Sequence, residues 1–229
     1  MVGLARDGSR REGNVMPLHI LLLRHGETDA NAAGILQGHL QTHLNANGRA
    51  QAARLAERLA RYEPPLARLV SSDLLRAIES TEAIATSTGL SIEVDAAWRE
   101  RSYGALQGID SARREALRSS HTDEGLGAEP IPHFEERVRV ALGTVAAGFS
   151  APATLSRAVA VMTHGGVIRR ALRILQDGKL PSRGELPELA PILNASIFHL
   201  TWDGQAFQSI AFNDDSHLGS ELPQAMDVD

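Results

Sequence analysis

Residues 18–26 read LHILLLRHG, a short and almost wholly apolar run that passes directly into arginine, histidine and glycine. An apolar run of this length is typical of a β-strand that is buried on both faces, as strands are in a parallel sheet. The glycine permits a sharp turn after the strand. We therefore expect a central strand here, with Arg24 and His25 at its carboxyl end.

Short apolar runs alternate with segments of helical periodicity along the rest of the chain. Strands are predicted over 66–70, 91–94 and 158–162, helices over 45–62, 111–118, 134–147 and 167–176, and a hairpin over 196–202 and 205–212. A further helix is expected to begin at a cap from Ser71 or Ser72 and to run to Thr88. Alternating strands and helices favour an α/β domain. We expect a three-layer sandwich: a mostly parallel central sheet, helices on both faces and a late antiparallel edge hairpin.

The composition limits the classes of protein that the chain can belong to. It has 229 residues, 43% of them hydrophobic, a formal net charge of −5 and no cysteine. The length suits one domain over 17–218, between a disordered leader over 1–16 and a mobile acidic tail over 219–229. Without cysteine, disulfides, thiol nucleophiles and Cys-ligated metals are excluded.

The same numbers bear on partners and location. The negative charge gives no general attraction to nucleic acid. No apolar run approaches the roughly 20 residues that a membrane-spanning helix needs, and the first residues hold no apolar signal core. We therefore expect a cytoplasmic protein that binds neither nucleic acid nor membrane. A homodimer is left open.

Polar clusters follow the predicted strands at the points where these end. Arg24 and His25 follow the first strand, Arg76 lies one turn beyond the second, and Glu100 and His164 follow two others. In open parallel sheets the ligand crevice lies beyond the carboxyl ends of the strands. We therefore expect these five side chains to converge on one catalytic site.

This set of side chains suits phosphoryl transfer. A neutral imidazole such as that of His25 is a good nucleophile toward phosphorus, and the resulting phosphohistidine can be hydrolysed. Arg24 and Arg76 would clamp the phosphoryl oxygens, with His164 as a further donor. A buried carboxylic acid such as Glu100 can protonate the leaving oxygen. Because the arginines supply the neutralising charge, we expect no metal and no cofactor.

The motif LLRHGET over 22–28 resembles the signature of the histidine phosphatase superfamily, which includes the phosphoglycerate mutases. Further pieces that resemble this family follow in its order, at Asn31, Gln37-Gly38, 71–77, 98–104, 163–169 and 194–197. The resemblance implies that His25 takes the phosphoryl group and that Glu100 is the proton donor. It implies a phosphate pocket of Arg24, Arg76 and His164. The substrate-binding residues that we expect are Asn31, Gln37, Gly38, Arg101, Tyr103 and Gly165.

The segment between Glu100 and His164 departs from the pattern of the mutases. It is short, whereas the cofactor-dependent mutases carry a longer insertion with an arginine pair that closes over the substrate. Arg113-Arg114 could imitate that pair, but the Pro-rich closure is missing. An open site admits water to the phosphohistidine, and this favours a phosphatase. The Gly-Glu-Ser segment common in phosphatase members is replaced by Gly127-Ala128-Glu129, which leaves the subgroup open.

Three functions are therefore considered. The first is a metal-independent phosphatase acting on a small phosphorylated metabolite. The second is a mutase that retains the phosphoryl group, and the third is a non-catalytic protein that binds a phosphorylated ligand. Retention of Glu100 argues against the third, because a binding protein needs no acid.

Some polar residues have competing interpretations. Glu27 and Glu129 are other carboxylates near the expected crevice, and Glu27 could instead orient an arginine. His39 and His43 have the i, i+4 spacing of a helical zinc site, but Gly38 nearby favours a loop there, and we expect no metal. Arg169-Arg170 are interpreted as surface or salt-bridge residues.

Overall fold

The computed structural model describes residues 16–148 and 157–219. The expected disordered leader and mobile tail lie outside these residues, apart from Met16 and Gly219 at their borders. The strands are β1 (Leu18–Arg24), β2 (Leu66–Ser71), β3 (Ile92–Val94), β4 (Arg157–Thr163), β5 (Ser182–Arg183), β6 (Ile197–Trp202) and β7 (Phe207–Asp214). The helices are α1 (Asp29–Ala32), α2 (Ala46–Leu59), α3 (Leu75–Thr88), α4 (Ser111–Arg118), α5 (Ile131–Ala147) and α6 (Gly165–Gln176).

The seven strands form one mixed sheet in the order β3-β2-β4-β1-β6-β7-β5. The strands β3, β2, β4 and β1 are parallel to one another. The hairpin strand β6 is antiparallel to both β1 and β7, and the two-residue strand β5 is parallel to β7. The prediction of a mostly parallel sheet with a late antiparallel hairpin is confirmed. The short strand β5, which the sequence did not predict, lies outside the hairpin at the edge.

Helices cover both faces of the sheet because β1 is apolar on both sides. Ile20 and Leu22 pack in a core cluster with side chains of α5 and α6. Leu21 and Leu23 point the other way, into a cluster with side chains of α2 and α3. Alternate residues of a strand face opposite sides of a sheet, so a continuous apolar run places one core on each face. The three-layer arrangement is therefore as predicted.

The start of α3 differs from the prediction. Neither Ser71 nor Ser72 caps this helix. Its N-cap is Leu74, whose side chain makes no capping hydrogen bond. Ser71 is still part of β2, and the hydroxyl of Ser72 lies beside His164 instead. The end was predicted correctly, because Gly89 terminates α3 in the left-handed conformation with φ of 73°.

The parallel pairing of β1 with β4 positions the two histidine motifs. Arg24 lies opposite Thr163 in the register of these strands. The backbone N–H of His25 donates to the carbonyl of Thr163 at 3.1 Å, so His25 and His164 leave the sheet side by side. Within the described residues no helix is long and apolar enough to span a bilayer.

Candidate active site

A cleft of about 320 Å³ opens where β1, β2 and β4 end. Its lining consists of Arg24, His25, Asn31, Ile35, Leu36, Gln37, Gly38, Arg76, Glu100, Tyr103 and Gly165. This set includes every residue that the sequence assigned to the site except His164 and Arg101. The topology of the sheet therefore brings distant motifs together at one place, as expected from the carboxyl-end rule.

His25 is held in one tautomer. Its Nδ1–H donates to the backbone carbonyl of Gly26 at 2.7 Å, and a carbonyl oxygen can only accept. The lone pair therefore lies on Nε2, which accepts a hydrogen bond from Nε of Arg76 at 3.1 Å. Burial, followed by the charges of Arg76 and Arg24, lowers the pKa of His25 well below its usual value against the opposing effect of the Gly26 carbonyl. The imidazole is consequently neutral at pH 7, with Nε2 as its nucleophilic atom.

Arg76 is held by the loop that follows α1. Its Nη2 donates to the carbonyl of Gly38 at 2.8 Å, and its Nη1 donates to the carbonyl of Leu40 at 3.0 Å. Gly38 has φ of +49°, and a Cβ atom there would lie 2.2 Å from Oε1 of Gln107. Only glycine fits this position without displacement. The guanidinium is thus fixed next to Nε2 of His25.

A second guanidinium and the start of a helix also border the cleft, and they belong to Arg24 and α6. Arg24 is 2% exposed, and its Nη1 donates to the carbonyl of Ile192. Gly165, the first residue of α6, lines the same cleft. A helix carries partial positive charge at its N-terminus. Two arginines and a helix start therefore make the cleft attractive to an anion.

His164 lies next to His25, and one of its ring nitrogens has no hydrogen-bond partner among the described residues. The two ring centroids are 5.2 Å apart. Nε2 of His164 lies 2.9 Å from the hydroxyl of Ser72, whose oxygen also lies 3.4 Å from the N–H of Leu74. If Ser72 donates to Nε2, the proton of the ring is on Nδ1, which is buried without a hydrogen-bond partner in the part of the chain described. Such an atom can donate to a phosphoryl oxygen.

The electrostatic surroundings keep His164 neutral as well. Burial is the largest cause that lowers its pKa well below the usual value, followed by the charges of Arg76, His25 and Arg24. A neutral imidazole contributes a hydrogen bond without adding a third full charge. Two arginines, Arg24 and Arg76, thus lie near two neutral rings, of which His25 lines the cleft and His164 lies directly beside it.

Glu100 is held by two backbone N–H groups. Its Oε2 accepts from Gly166 at 2.9 Å, and its Oε1 accepts from Arg101 at 2.8 Å. A Cβ atom at residue 166 would lie 2.4 Å from Oε1 of Glu100, so the second glycine of the His164 motif makes room for this carboxyl group. Glu100 is 6% exposed, and it lines the cleft.

Arg137 on α5 anchors the loop that carries Glu100, and the sequence did not indicate it. Its Nη1 donates to the carbonyls of Ala97 and Arg99 at 2.9 Å each. Its Nη2 bonds to Oε2 of Glu129 at 2.7 Å. These bonds link α5 to the backbone that directly precedes Glu100. A lone arginine in a helix has no sequence signature that reveals such contacts.

Asn31 and Gln37 line the cleft, and their amide oxygens contact hydroxyl groups. The hydroxyl of Thr28 lies 2.9 Å from Oδ1 of Asn31 and 3.0 Å from Oε1 of Gln37. The hydroxyl of Thr42 also donates to Oε1 of Gln37, at 2.5 Å. Because the oxygens are engaged, the NH₂ groups are the atoms that can donate to an anion.

Arg101, which was expected among the substrate-binding residues, does not line the cleft. Its Nε donates to the carbonyl of Glu129 at 2.8 Å, its Nη1 pairs with Asp123 at 3.1 Å, and its guanidinium lies 5.3 Å from the centre of the Tyr103 ring. Its side chain lines a neighbouring cavity and not the cleft. Tyr103 borders both cavities. The position of Arg101 next to Glu100 predicts where its backbone lies, but it does not predict the direction of its long side chain.

The competing carboxylates have other partners. Oε1 of Glu27 accepts from Nδ2 of Asn45 at 2.8 Å, so the partner of Glu27 is an amide and not the arginine that was considered. Glu129 is paired with Arg137. Among the described residues that line the cleft, Glu100 is the one that carries a carboxylate.

His39 and His43 do not lie on a helix. Nε2 of His39 donates to the backbone carbonyl of Glu100 at 2.8 Å, and Nδ1 of His43 contacts Glu79 at 2.5 Å. The two rings thus have separate partners. Among the residues that the structure describes, no group of three or more His, Asp or Glu side chains is placed to hold a metal ion.

The sequence matches the family model of the histidine phosphatase superfamily, branch 1, over residues 20–215. The chain belongs to the histidine phosphatase superfamily. Relatives from Arabidopsis thaliana support this: phosphoglycerate mutase-like protein 4 is 36% identical over 212 residues, 87% of this chain and 86% of the relative. A metal-independent phosphoserine phosphatase is 36% identical over 213 residues, 88% of this chain and 83% of the relative.

Solved structures agree with this placement. The mycobacterial glucosyl-3-phosphoglycerate phosphatase in complex with VO3 superposes with a TM-score of 0.69 at 28% identity, covering 84% of this histidine phosphatase and 96% of that chain. Phosphoglycerate mutase from Bacillus anthracis has a TM-score of 0.72 at 20% identity over 91% of this chain and 98% of that one, which shows the shared fold. The predicted family and enzyme class are confirmed: the chain is a phosphoric monoester hydrolase.

Proposed function

We propose that this histidine phosphatase hydrolyses a small phosphorylated metabolite and that the phosphoryl group is carried on Nε2 of His25. The observation that carries the proposal is the tautomer of His25: the Gly26 carbonyl holds the proton on Nδ1, and Arg76 marks Nε2 as the atom that faces the anion site. Two relatives, a phosphoserine phosphatase and a glucosyl-3-phosphoglycerate phosphatase, support a small phosphorylated substrate.

In the first step Nε2 of His25 attacks phosphorus, and the bond to the leaving oxygen breaks. Arg24 and Arg76 neutralise the charge on the phosphoryl oxygens, and Nδ1 of His164 donates a hydrogen bond to them. Glu100 in its protonated form gives its proton to the leaving alkoxide. Since the arginines supply the positive charge, this step requires no metal ion.

In the second step water attacks the phosphohistidine, and the phosphorus–nitrogen bond breaks. The carboxylate of Glu100 accepts the proton that the water loses, which restores the acid for the next cycle. His25 returns to its neutral form, which burial and the two arginines favour. The balance is one ester and one water consumed, and one alcohol and one phosphate released.

The position of Arg113 and Arg114, which could have imitated the arginine pair of the mutases, favours hydrolysis over mutase chemistry. Arg113 and Arg114 lie on α4, and neither lines the cleft. Arg114 is buried, at 7% exposure, outside the cleft. Because Arg113 and Arg114 do not close over the cleft, they leave water access to the phosphohistidine.

The experiment that tests the proposal is an assay of the purified protein with p-nitrophenyl phosphate in the presence of EDTA, followed by a screen of phosphorylated metabolites. We expect hydrolysis in EDTA and release of inorganic phosphate. Turnover of phosphoglycerate that requires a bisphosphoglycerate primer and releases no phosphate would identify a mutase instead. A folded protein without activity on any phosphoester would identify a non-catalytic binder.

A further inference from the structure

The peptide unit that joins His25 to Gly26 is hydrogen-bonded at both of its edges. Its carbonyl, that of His25, accepts from Nδ2 of Asn194 at 3.0 Å and from the backbone N–H of Ala195 at 3.2 Å. Its N–H, that of Gly26, donates to Oγ of Ser80 at 3.0 Å. We call these three contacts the peptide clamp. Because a peptide unit is planar, bonds at both edges fix its orientation.

The orientation of this peptide decides where the ring of His25 lies. The peptide before it is also held, because the backbone N–H of His25 donates to the carbonyl of Thr163 at 3.1 Å. Both peptides that flank the Cα atom of His25 are thus fixed, and the ring in turn bonds to the carbonyl of Gly26 through Nδ1. The position of Nε2 therefore depends on the backbone as much as on the side chain itself.

Asn194 belongs to the segment between β5 and β6, which also holds Arg24. The carbonyl of Ile192 accepts from Nη1 of Arg24, and the carbonyl of Ser196 accepts from the backbone N–H of Arg24 at 3.1 Å. Asn194 itself is completely buried. One segment therefore holds both the arginine and the backbone of the histidine that follows it.

The backbone of Ala195 is in an unusual conformation. Its φ is 55°, in the left-handed region that is disfavoured for a residue with a Cβ atom. Such strain persists only where the surrounding structure maintains it, and it is concentrated at functional sites. Ala195 is completely buried, and its N–H is one of the two donors to the carbonyl of His25. This observation favours a role for the segment in placing the nucleophile.

Ser80 joins the peptide clamp to Arg76. It lies one turn after Arg76 on α3 and is completely buried. Its hydroxyl donates to the backbone carbonyl of Arg76 at 2.7 Å and accepts from the N–H of Gly26. The guanidinium of Arg76 contacts Nε2 of His25. The peptide after the nucleophile and the arginine beside it are thus part of one hydrogen-bonded network.

We propose that Asn194 and Ser80 are positioning residues for phosphoryl transfer: they hold the peptide after His25 from opposite edges and so keep Nε2 in line with phosphorus. Neither side chain lines the cleft. They therefore act on the rate of transfer and not on the binding of phosphate, which depends on the arginines. This inference rests on the proposed function, because it takes His25 as the nucleophile.

The test uses Asn194→Ala and Ser80→Ala with p-nitrophenyl phosphate as the substrate. We expect kcat to fall by about 10- to 100-fold with little change in KM, because a displacement of about 1 Å can cost about 10²-fold in rate. Loss of Asn194 breaks the clamp at the carbonyl edge, and loss of Ser80 breaks it at the N–H edge. If Asn194→Ala does not fold, Ser80→Ala provides the same test.

Two inhibitors separate positioning from general damage. Orthovanadate takes the nucleophile as a fifth ligand and resembles the transition state, so its inhibition constant should rise in both variants along with the loss of kcat/KM. Inorganic phosphate does not form that bond, so its inhibition constant should stay close to that of the wild type. Thermal unfolding, followed by circular dichroism, verifies that each variant is folded.

The chain offers a matched control for each variant. Ser196→Ala removes a buried hydroxyl from the same segment as Asn194, and that hydroxyl has no hydrogen-bond partner among the described residues. Thr81→Val changes the residue next to Ser80, whose hydroxyl donates to the carbonyl of Ala77 and not to the peptide clamp. Both controls should keep kcat and both inhibition constants close to those of the wild type.

The possible results separate this inference from the proposed function. Unchanged kcat in both variants, or a parallel loss of affinity for phosphate and vanadate, would overturn the inference, while hydrolysis by the wild type leaves the proposed function standing. Failure of both variants to fold would assign the clamp to stability and would also overturn it. If His25→Ala hydrolyses p-nitrophenyl phosphate at the wild-type rate, the proposed function fails, and this inference fails with it.

Discussion

Two pairs of histidines lie at opposite ends of β1 and have nearly the same separation. The rings of His25 and His164 are 5.2 Å apart at the carboxyl end, and those of His19 and His199 are 5.1 Å apart near the other end. Burial is the largest cause of a lowered pKa in all four rings. Neither proximity nor a lowered pKa therefore distinguishes a catalytic pair from a structural one.

The partners of the rings make the difference. Nδ1 of His19 lies 3.0 Å from Nε2 of His199, and the hydroxyl of Tyr62 lies 3.3 and 3.2 Å from the same two atoms. In this structural pair the two facing ring nitrogens contact each other and the hydroxyl of Tyr62. In the pair that we propose to be catalytic, a backbone carbonyl fixes His25, Nε2 of His25 accepts from Arg76, and Nδ1 of His164 has no hydrogen-bond partner among the described residues. The chemistry of a histidine thus depends on which of its nitrogens the fold leaves available.

The strongest test of the difference between the two pairs is to remove one ring from each pair. His25→Ala is expected to lower kcat for p-nitrophenyl phosphate by at least about 10⁴-fold, because the nucleophile is lost. His19→Ala should keep kcat close to that of the wild type. Steady-state assays of both variants, with circular dichroism to verify folding, make the measurement. Comparable losses in the two variants would contradict the distinction.

The next largest effect is expected at His164. His164→Ala removes one donor to the phosphoryl oxygens, and kcat should fall by about 10²–10³-fold. The control is His199→Ala, in which the equivalent member of the structural pair is removed. Activity of His164→Ala within a few-fold of the wild type would show that Nδ1 of His164 does not act on the phosphoryl group.

A smaller effect is expected from Arg137, which positions the loop of Glu100. Arg137→Gln should lower kcat/KM for an alkyl phosphate by about tenfold, because small displacements of a catalytic group are costly. The loss should be smaller for p-nitrophenyl phosphate, since p-nitrophenolate leaves without a proton from Glu100. The comparison of the two substrates makes the measurement.

The control for this prediction is Arg139→Gln, two residues along the same helix with a side chain paired to Glu136. It should change neither rate. Equal losses for both substrates in Arg137→Gln would mean that Arg137 supports the fold in general and not the position of the acid.

The smallest effect concerns the structural pair at acid pH. Burial, followed by the charge of His19, lowers the pKa of His199 from 6.5 to about 4. Between these pH values His199 binds a proton in the unfolded chain but not in the folded chain. The contribution of neutral His199 to the free energy of unfolding is therefore complete above pH 6.5 and is lost as the pH falls toward 4. In His199→Gln the decrease in Tm between pH 7 and pH 5 should be smaller than in the wild type. A decrease as large as that of the wild type would assign the acid sensitivity to other groups.

Much of the fold could be predicted from the sequence because β1 is apolar on both faces and is followed by polar motifs. The convergence of Arg24, His25, Arg76 and Glu100 follows from the rule for parallel strands, which needs no knowledge of side-chain direction. The family resemblance added the order of the motifs. Local spacing also placed α4 over 111–118 as the structure has it.

Side-chain direction and long-range contacts could not be predicted. The direction of Arg101 depends on Asp123 and on the carbonyl of Glu129, which lie far from it in sequence. The contacts of Arg137 with the Glu100 loop depend on how α5 packs on the sheet. The cytoplasmic location stays a prediction, and whether the protein forms a homodimer stays open.

The central claim, a phosphohistidine at His25, is tested most directly by trapping it. The wild-type protein is mixed with p-nitrophenyl phosphate that carries a radiolabelled phosphoryl group, quenched rapidly in alkali and digested, since phosphohistidine survives alkali and is lost in acid. We predict alkali-stable label on the peptide that contains His25, formed and consumed within one turnover and absent in His25→Ala. Label on a different residue, or turnover at the full rate with no label on the protein at any time, would contradict the account.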